Sequence, residues 1–416
     1  MDIAKHFRKL GIDDRDVEKI LSYAAGGGAR RFAKNVVEFM TAEMSPRLYA
    51  RVRFKEGRIA CIETGPVFTS PKKLEELFLR ARNEAIDDHG SLILVRVLFS
   101  SLQLRGSFSW GDRFRIRPCA DTVRIGKGLN WFNHEIPGLN QEVHKGPPFP
   151  FLLEVRIPRS PNPSLEAGRS LRLLDQYQVL LTLLLWSTLG KIHHSSTPDW
   201  ALIRSGEVVV NHLVYAGFDH AEDGRFDNFP PYQGPQAPVY AEDDYYGRLW
   251  FPNNELHIPK SIDVHLSMFR DLDQPTAQAF LRACYWHALG VQFSAEPSIA
   301  TVSFSTAIEC LLPRPSQQKC PTCDKSTGAG PTQLFKRHLK RYGTIISELE
   351  KQRDSLYDVR SELVHGTSAS RVDVDFMSAQ ETDRDRLLLM AIVARRSILN
   401  WLSDPARPSP LPAGKE

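Results

Sequence analysis

Cysteine is scarce in this sequence, with six in 416 residues, and four of them (Cys61, Cys119, Cys284 and Cys310) stand alone, mostly among apolar neighbours. So few thiols exclude a disulfide framework and point to a reducing, cytoplasmic setting. An excess of one charge is also missing: 53 Lys and Arg face 49 Asp and Glu, for a formal net charge of +4. A protein coated in positive charge is therefore excluded, and any nucleic-acid surface has to be local. Long hydrophobic runs are absent too. The strongest, Val179 to Leu189 (VLLTLLLWSTL), falls well short of the roughly 20 residues that span a bilayer. It reads as a buried core helix. The opening MDIAKHFRKLGIDDRDVEK is charged throughout and carries no apolar core of an export signal, so no membrane or secretory partner is expected. Phosphate-binding loops are missing as well. Neither Ala24-Ala-Gly-Gly-Gly-Ala29 nor Gly126-Lys-Gly128 is followed by the rest of a Walker motif, and both read as breaks between elements.

What is present divides by periodicity. Residues 1–45 carry helical spacing in two pieces on either side of the glycine run, so a helical segment is expected there. From 46 to 265 the pattern shifts to short alternating or apolar runs such as LYARVRF, RIACIET, SLILVRVLFSS, RFRIRPC and PFLLEVRI, the marks of strands, with one apolar helix at Leu171 to Leu189. Within it, residues 220–252 are rich in Asp, Tyr, Pro and Gly and read as a long surface loop. His193-His194 has no partner at metal-ligand spacing. Residues 266–403 hold a period of 3.6, with helices expected at Pro275–Phe293, Ser298–Leu312, Pro331–Arg341, Thr344–His365 and Glu381–Leu402. Residues 404–416, rich in proline, read as a disordered tail. The fold class expected is α+β, a β-rich mixed region followed by an all-α bundle.

Chemistry concentrates in the bundle. Arg360 and His365 lie near the end of a helix that Gly366 is placed to terminate. Five residues advance about 500° around a helix, so on one straight helix the two side chains diverge by roughly 140°. A two-fold dimer would let both kinds of side chain face a shared groove. An imidazole beside a guanidinium suits RNA cleavage: one moves protons between the 2′-hydroxyl and the leaving 5′-oxygen, the other stabilises charge building on phosphorus. No metal is required, because RNA carries its own nucleophile.

The surrounding residues narrow the reading. Arg360, Ser361, Glu362-Leu363-Val364 and His365, flanked by Tyr357-Asp358 and Gly366, together with Phe304-Ser-Thr-Ala-Ile-Glu-Cys-Leu-Leu312 upstream, resemble the HEPN superfamily and in particular its ApeA-like group. The resemblance covers the C-terminal third of the chain. It implies an all-α HEPN-like domain and a metal-independent endoribonuclease working as a homodimer, often a toxin or antiviral-defence effector, with Arg360, His365, Ser361 and Glu309 at the site. A regulatory protein or antitoxin would be a further partner. Glu309 either orients Arg360 or His365 or pairs with an arginine on a neighbouring helix. The alternative is a non-catalytic dimeric module of the same fold that binds a partner, nucleic acid or a nucleotide.

Two further features accompany the motif. Lys336 with Lys340, and Arg337 with Arg341, recur at i,i+4 and form either an RNA-contacting stripe, which Arg353 would extend, or a solvated helix face. Cys320-Pro-Thr-Cys323 resembles half of a zinc knuckle. It is either a metal-free loop or a structural zinc site completed by His338, by Cys310 or by a partner chain.

Overall fold

The computed structural model describes residues 21, 26–33, 35–41, 48–55, 58–64, 90–119, 124–125, 149–159, 163–185, 192–194, 198–205, 208–215, 218–219, 224–240, 245, 255–294, 296–313, 329–345, 347–366 and 377–410. The architecture is α+β, with mostly antiparallel sheets in the N-terminal part and helices in the C-terminal part.

Strands β1 (Gly26–Ala33), β2 (Val36–Thr41), β3 (Leu48–Lys55) and β4 (Arg58–Thr64) form a meander in sequence order. This corrects the helical reading of 1–45 over residues 26–41, and the glycine run opens β1 instead of linking two helices. Phe32, Ala33, Val36, Val37 and Met40 have helical spacing, but Val36, Val37 and Phe39 are also good strand formers, and β3 supplies the backbone partners that decide the matter. On this pair Glu38 stands directly opposite Arg51. Its carboxylate, only 2% exposed, accepts from Arg51 Nε at 3.0 Å.

The larger sheet is built on β5 (Ser91–Ser100). It continues through β6 (Phe108–Trp110), β7 (Phe114–Pro118), β8 (Phe149–Pro158) and β9 (Ile192–His194). A separate hairpin, β10 (Pro198–Ser205) with β11 (Val208–Tyr215), precedes β12 (Gly224–Phe226). The sheet runs β9-β5-β8-β7-β6, with β12 also on β5. Both faces of β5 are covered, which explains its near-continuous apolar run. Ile93, Val95, Val97 and Phe99 form one cluster with Leu152, while Leu92 and Leu98 join the main core on the opposite face.

Residues 224–240 do not lie loose on the surface as the sequence suggested. β12 pairs with β5, Arg115 donates to the Pro230 carbonyl, and the Phe229 ring sits 5.3 Å from the Arg115 guanidinium. Aromatics of this segment instead lie over the arginines that pair with buried Glu154, Phe229 by Arg115 and Tyr232 by Arg117.

Helix α1 (Pro163–Leu185) packs on β8. It is followed by α2 (Ile262–Arg270), α3 (Gln274–Gln292), α4 (Pro297–Glu309), α5 (Pro331–Tyr342), α6 (Glu350–His365) and α7 (Met377–Ser403). Local chemistry marks their ends. Asp273 caps α3 by accepting from the Thr276 N–H at 3.2 Å, and prolines open α4 and α5, where a missing N–H costs nothing. Gly290 lets α3 approach α4 closely, since a Cβ there would lie 2.6 Å from the Phe304 ring.

The helix read as Thr344–His365 starts later. Residues Ser347–Leu349 are 3₁₀ and α6 begins at Glu350. The Thr344 carbonyl, which a longer helix would use internally, accepts instead from Arg396 at 2.9 Å, and Asn400 takes the Tyr342 carbonyl at 2.7 Å. The tail expected from 404 onward is held at its start: Asp404 accepts from Tyr342 Oη at 2.6 Å and from Arg341.

One apolar core joins the two regions. Leu153 and Val155 of β8, Leu181 and Leu184 of α1, Phe280 of α3 and Trp401 of α7 belong to the same buried cluster. Arg395 of α7, itself buried, donates to the carbonyls of Leu183 and Leu184 at 2.7 and 2.9 Å, satisfying acceptors at the end of α1. Among the described residues no helix is long and apolar enough to cross a membrane.

Candidate active site

Helix α6 carries three of the four motif residues. Its composition is mostly polar, and only Arg353 and Leu356 are buried along it, so packing on one narrow stripe holds it in place. Gly366 ends it in the left-handed conformation, φ 69°, with its N–H turned back to carbonyls of the last turn. His365 therefore occupies the final helical position and is exposed, while Ser361 and Arg360 are half-buried.

Arg360 turns toward α4. Its Nη2 lies 3.1 Å from Glu309 Oε1 and donates to Oε2 at 3.2 Å, across 51 residues of sequence. Of the alternatives for Glu309, the structure contains the pairing with Arg360. The guanidinium also stands 5.9 Å from the centre of the Tyr357 ring, and Tyr357 rests on Phe335 of α5 at 5.1 Å. Arg360 Nε is buried with no hydrogen-bond partner among the described residues. Burial raises the Glu309 carboxyl above its ordinary pKa, and Arg360 offsets only part of that.

No hydrogen bond or ion pair joins Arg360 to His365 among the described residues. Arg360 reaches Glu309 of α4, and His365 is exposed at the end of α6.

The basic stripe lies on the adjoining helix. Phe335, His338, Leu339 and Tyr342 form the buried face of α5, leaving Lys336, Arg337, Lys340 and Arg341 exposed on the other side. Two of these cations are engaged, Lys336 with Asp358 of α6 at 3.3 Å and Arg341 with Asp404. Arg337 and Lys340 make no ion pair among the described residues. Arg353 does not extend the stripe. It is 5% exposed, pairs with Asp354 at 2.9 Å and reaches the Gly343 carbonyl, so it braces the start of α6. Tyr357 and Asp358 entered the sequence reading only as flanks of the motif, yet they link α6 to α5 through Phe335 and Lys336. Contacts between helices leave no local signature.

Cys320 and Cys323 lie outside the described residues. Of the ligands considered to complete a zinc site, His338 is buried, with Nε2 unpartnered and burial lowering its pKa to about 3. Burial pushes the Cys310 thiol up to about 11. Among the described residues no group of three or more His, Cys, Asp or Glu is placed to hold a metal.

The arrangement offers a guanidinium fixed by a carboxylate, an exposed imidazole five residues beyond it on the same helix, and two cations without ion pairs among the described residues on the adjoining helix. Comparisons of the chain with protein-family models, with curated proteins and with solved structures returned no match.

Proposed function

We propose that the chain is a metal-independent, HEPN-type endoribonuclease that cleaves single-stranded RNA as a homodimer, with a role as a toxin or antiviral-defence effector restrained by a regulatory protein or antitoxin. The observation that carries this reading is the Arg360–Glu309 pair, since two positions quoted from separate motif segments meet at one place. In the reaction, His365 accepts the proton of the 2′-hydroxyl as its oxygen attacks phosphorus. The bond to the 5′-oxygen breaks, and that oxygen leaves with a proton returned by an imidazole. Arg360, steadied by Glu309, donates to the non-bridging oxygens as their charge grows. The products are a 2′,3′-cyclic phosphate and a 5′-hydroxyl. Arg360 and His365 share no hydrogen bond on one chain, and a five-residue spacing turns them apart on a straight helix, so the reading puts the groove at a two-fold axis, with each catalytic pair drawn from both protomers. Ser361, half-buried beside Arg360 in sequence, is the polar neighbour of the phosphate.

The test is cleavage of a mixed single-stranded RNA pool in excess chelator, with product ends identified by mass and oligomeric state by light scattering. Activity should persist without added metal, spare DNA, and fall about 100- to 10,000-fold in His365→Ala, which is exposed and should leave the fold intact. Parental activity in that variant would overturn the assignment.

A second reading has its own support. Arg360 is only 21% exposed at its side chain and already committed to Glu309, as suits a residue that holds α4 to α6 in a non-catalytic dimeric module for a protein or nucleic-acid partner. Loss of RNA cleavage with retained dimerisation and RNA binding in the parent chain would favour it.

A further inference from the structure

A second feature, sharing no residue with the candidate active site, lies where α1 meets α2 and α3. A cleft of about 250 Å³ opens there. Leu180 and Phe269 are among its apolar lining residues, Gln176 and Tyr177 add polar groups, and Arg113 and Arg270 bring positive charge to its lining. No carboxylate lines it among the described residues. An apolar cavity of about 150 Å³ already holds benzene, so the space admits an aromatic ring system with a substituent.

The two arginines differ in availability. Arg270 is paired with Asp271 at 2.8 Å. Arg113 makes no ion pair among the described residues, and the nearby Asp112 lies 3.6 Å from Arg156. The Arg113 guanidinium nevertheless has a defined place: it lies 5.1 Å from the centre of the Trp110 ring, and it lines the cleft together with Tyr177. Its backbone N–H closes the turn between β6 and β7 on the Trp110 carbonyl at 3.1 Å. Tyr177 in turn packs on Phe114 at 4.8 Å. A cation placed against an aromatic face and without an ion pair among the described residues is available to a ligand carboxylate, at a smaller ordering cost than a free side chain would have.

We propose that this cleft binds a small aromatic monoanion, with its rings on Leu180 and Phe269 and its carboxylate on Arg113. The proposal does not depend on the ribonuclease reading. Because α1 lines one wall and α2 and α3 the other, such a ligand would bridge the sheet-bearing region and the helical region.

The experiment is calorimetric titration of the full chain with 2-naphthoate, and with 2-naphthalenemethanol as a probe with the same rings and no charge. Saturable one-to-one binding of 2-naphthoate is expected, with the neutral probe about tenfold weaker or worse. Arg113→Gln should weaken 2-naphthoate by a similar factor and leave the neutral probe unchanged. Ala277→Leu, which extends a side chain into the cleft, should abolish binding of both. Arg113 is exposed, so its variant keeps the fold and decides the matter even if Ala277→Leu fails to fold by circular dichroism. Absence of saturable binding, equal affinity for the two probes, or equal affinity of parent and Arg113→Gln for 2-naphthoate would each overturn the proposal.

Discussion

Glu309 is a carboxylate with opposing influences on it. Burial raises its pKa above the ordinary 4.5, while Arg360 lowers it by charge and by hydrogen bonding without cancelling the effect of burial. The sign for stability follows. Between the ordinary value and the raised one the folded protein binds more protons than the unfolded chain, so this group's contribution falls as pH rises through that window. Thermal midpoints of parent and Glu309→Gln should coincide near pH 4 and diverge in favour of the variant as pH rises. Arg360→Ala should steepen the decline and cost about 1–2 kcal/mol at neutral pH, because it strands a half-buried carboxylate. A parent that gains on Glu309→Gln as pH rises would show that the pair overcomes burial after all. That Arg360 and Glu309 belong together was legible in the sequence, since the two segments that carry them were singled out there and the structure pairs them. Which of its two roles Glu309 takes was not, because that depends on how α4 crosses α6.

Helix α5 is read easily from sequence and its consequences less so. The i, i+3, i+4, i+7 spacing of Phe335, His338, Leu339 and Tyr342 gives both the helix and its exposed cationic face. The pairing of Lys336 with Asp358 and of Arg341 with Asp404 depends on elements distant in sequence, and it divides four equivalent-looking cations into two kinds. Salt titrations of RNA binding should separate them. Arg337→Gln with Lys340→Gln should lower the log–log slope by about 1.4, the value for two contacts to a single strand. Lys336→Gln with Arg341→Gln should lower it by less, and Asp358→Asn should strengthen binding by freeing Lys336. Identical slopes for all four proteins would mean that α5 only faces solvent. The same limit explains β1 and β2. A short window sees apolar residues three and four apart, whereas the strand state is fixed by β3, whose hydrogen bonds no local pattern records. The helices opened by Pro275, Pro297 and Pro331 were legible because their start signals are local.

The sequence places a change of period at about residue 265, yet the apolar core runs straight across it. Phe280, Leu311, Ile398 and Trp401 are buried in the same cluster as Leu153 and Leu184, and Arg395 closes the end of α1. Unfolding should therefore be cooperative over both regions, giving one calorimetric transition that coincides with the loss of near-ultraviolet ellipticity. Arg395→Met should lower its midpoint by the equivalent of about 2–4 kcal/mol, since two carbonyls lose a charged donor. Two separated transitions would show the regions to be independent. The interlocked core also bears on how such a chain can be recombined. A helical cassette excised at Pro275 and grafted onto a foreign carrier would leave Phe280 and Trp401 without their cover. The transferable unit has to include α1, and a fusion keeps its integrity only if the donor supplies the Leu180 to Leu185 surface along with the helices that rest on it.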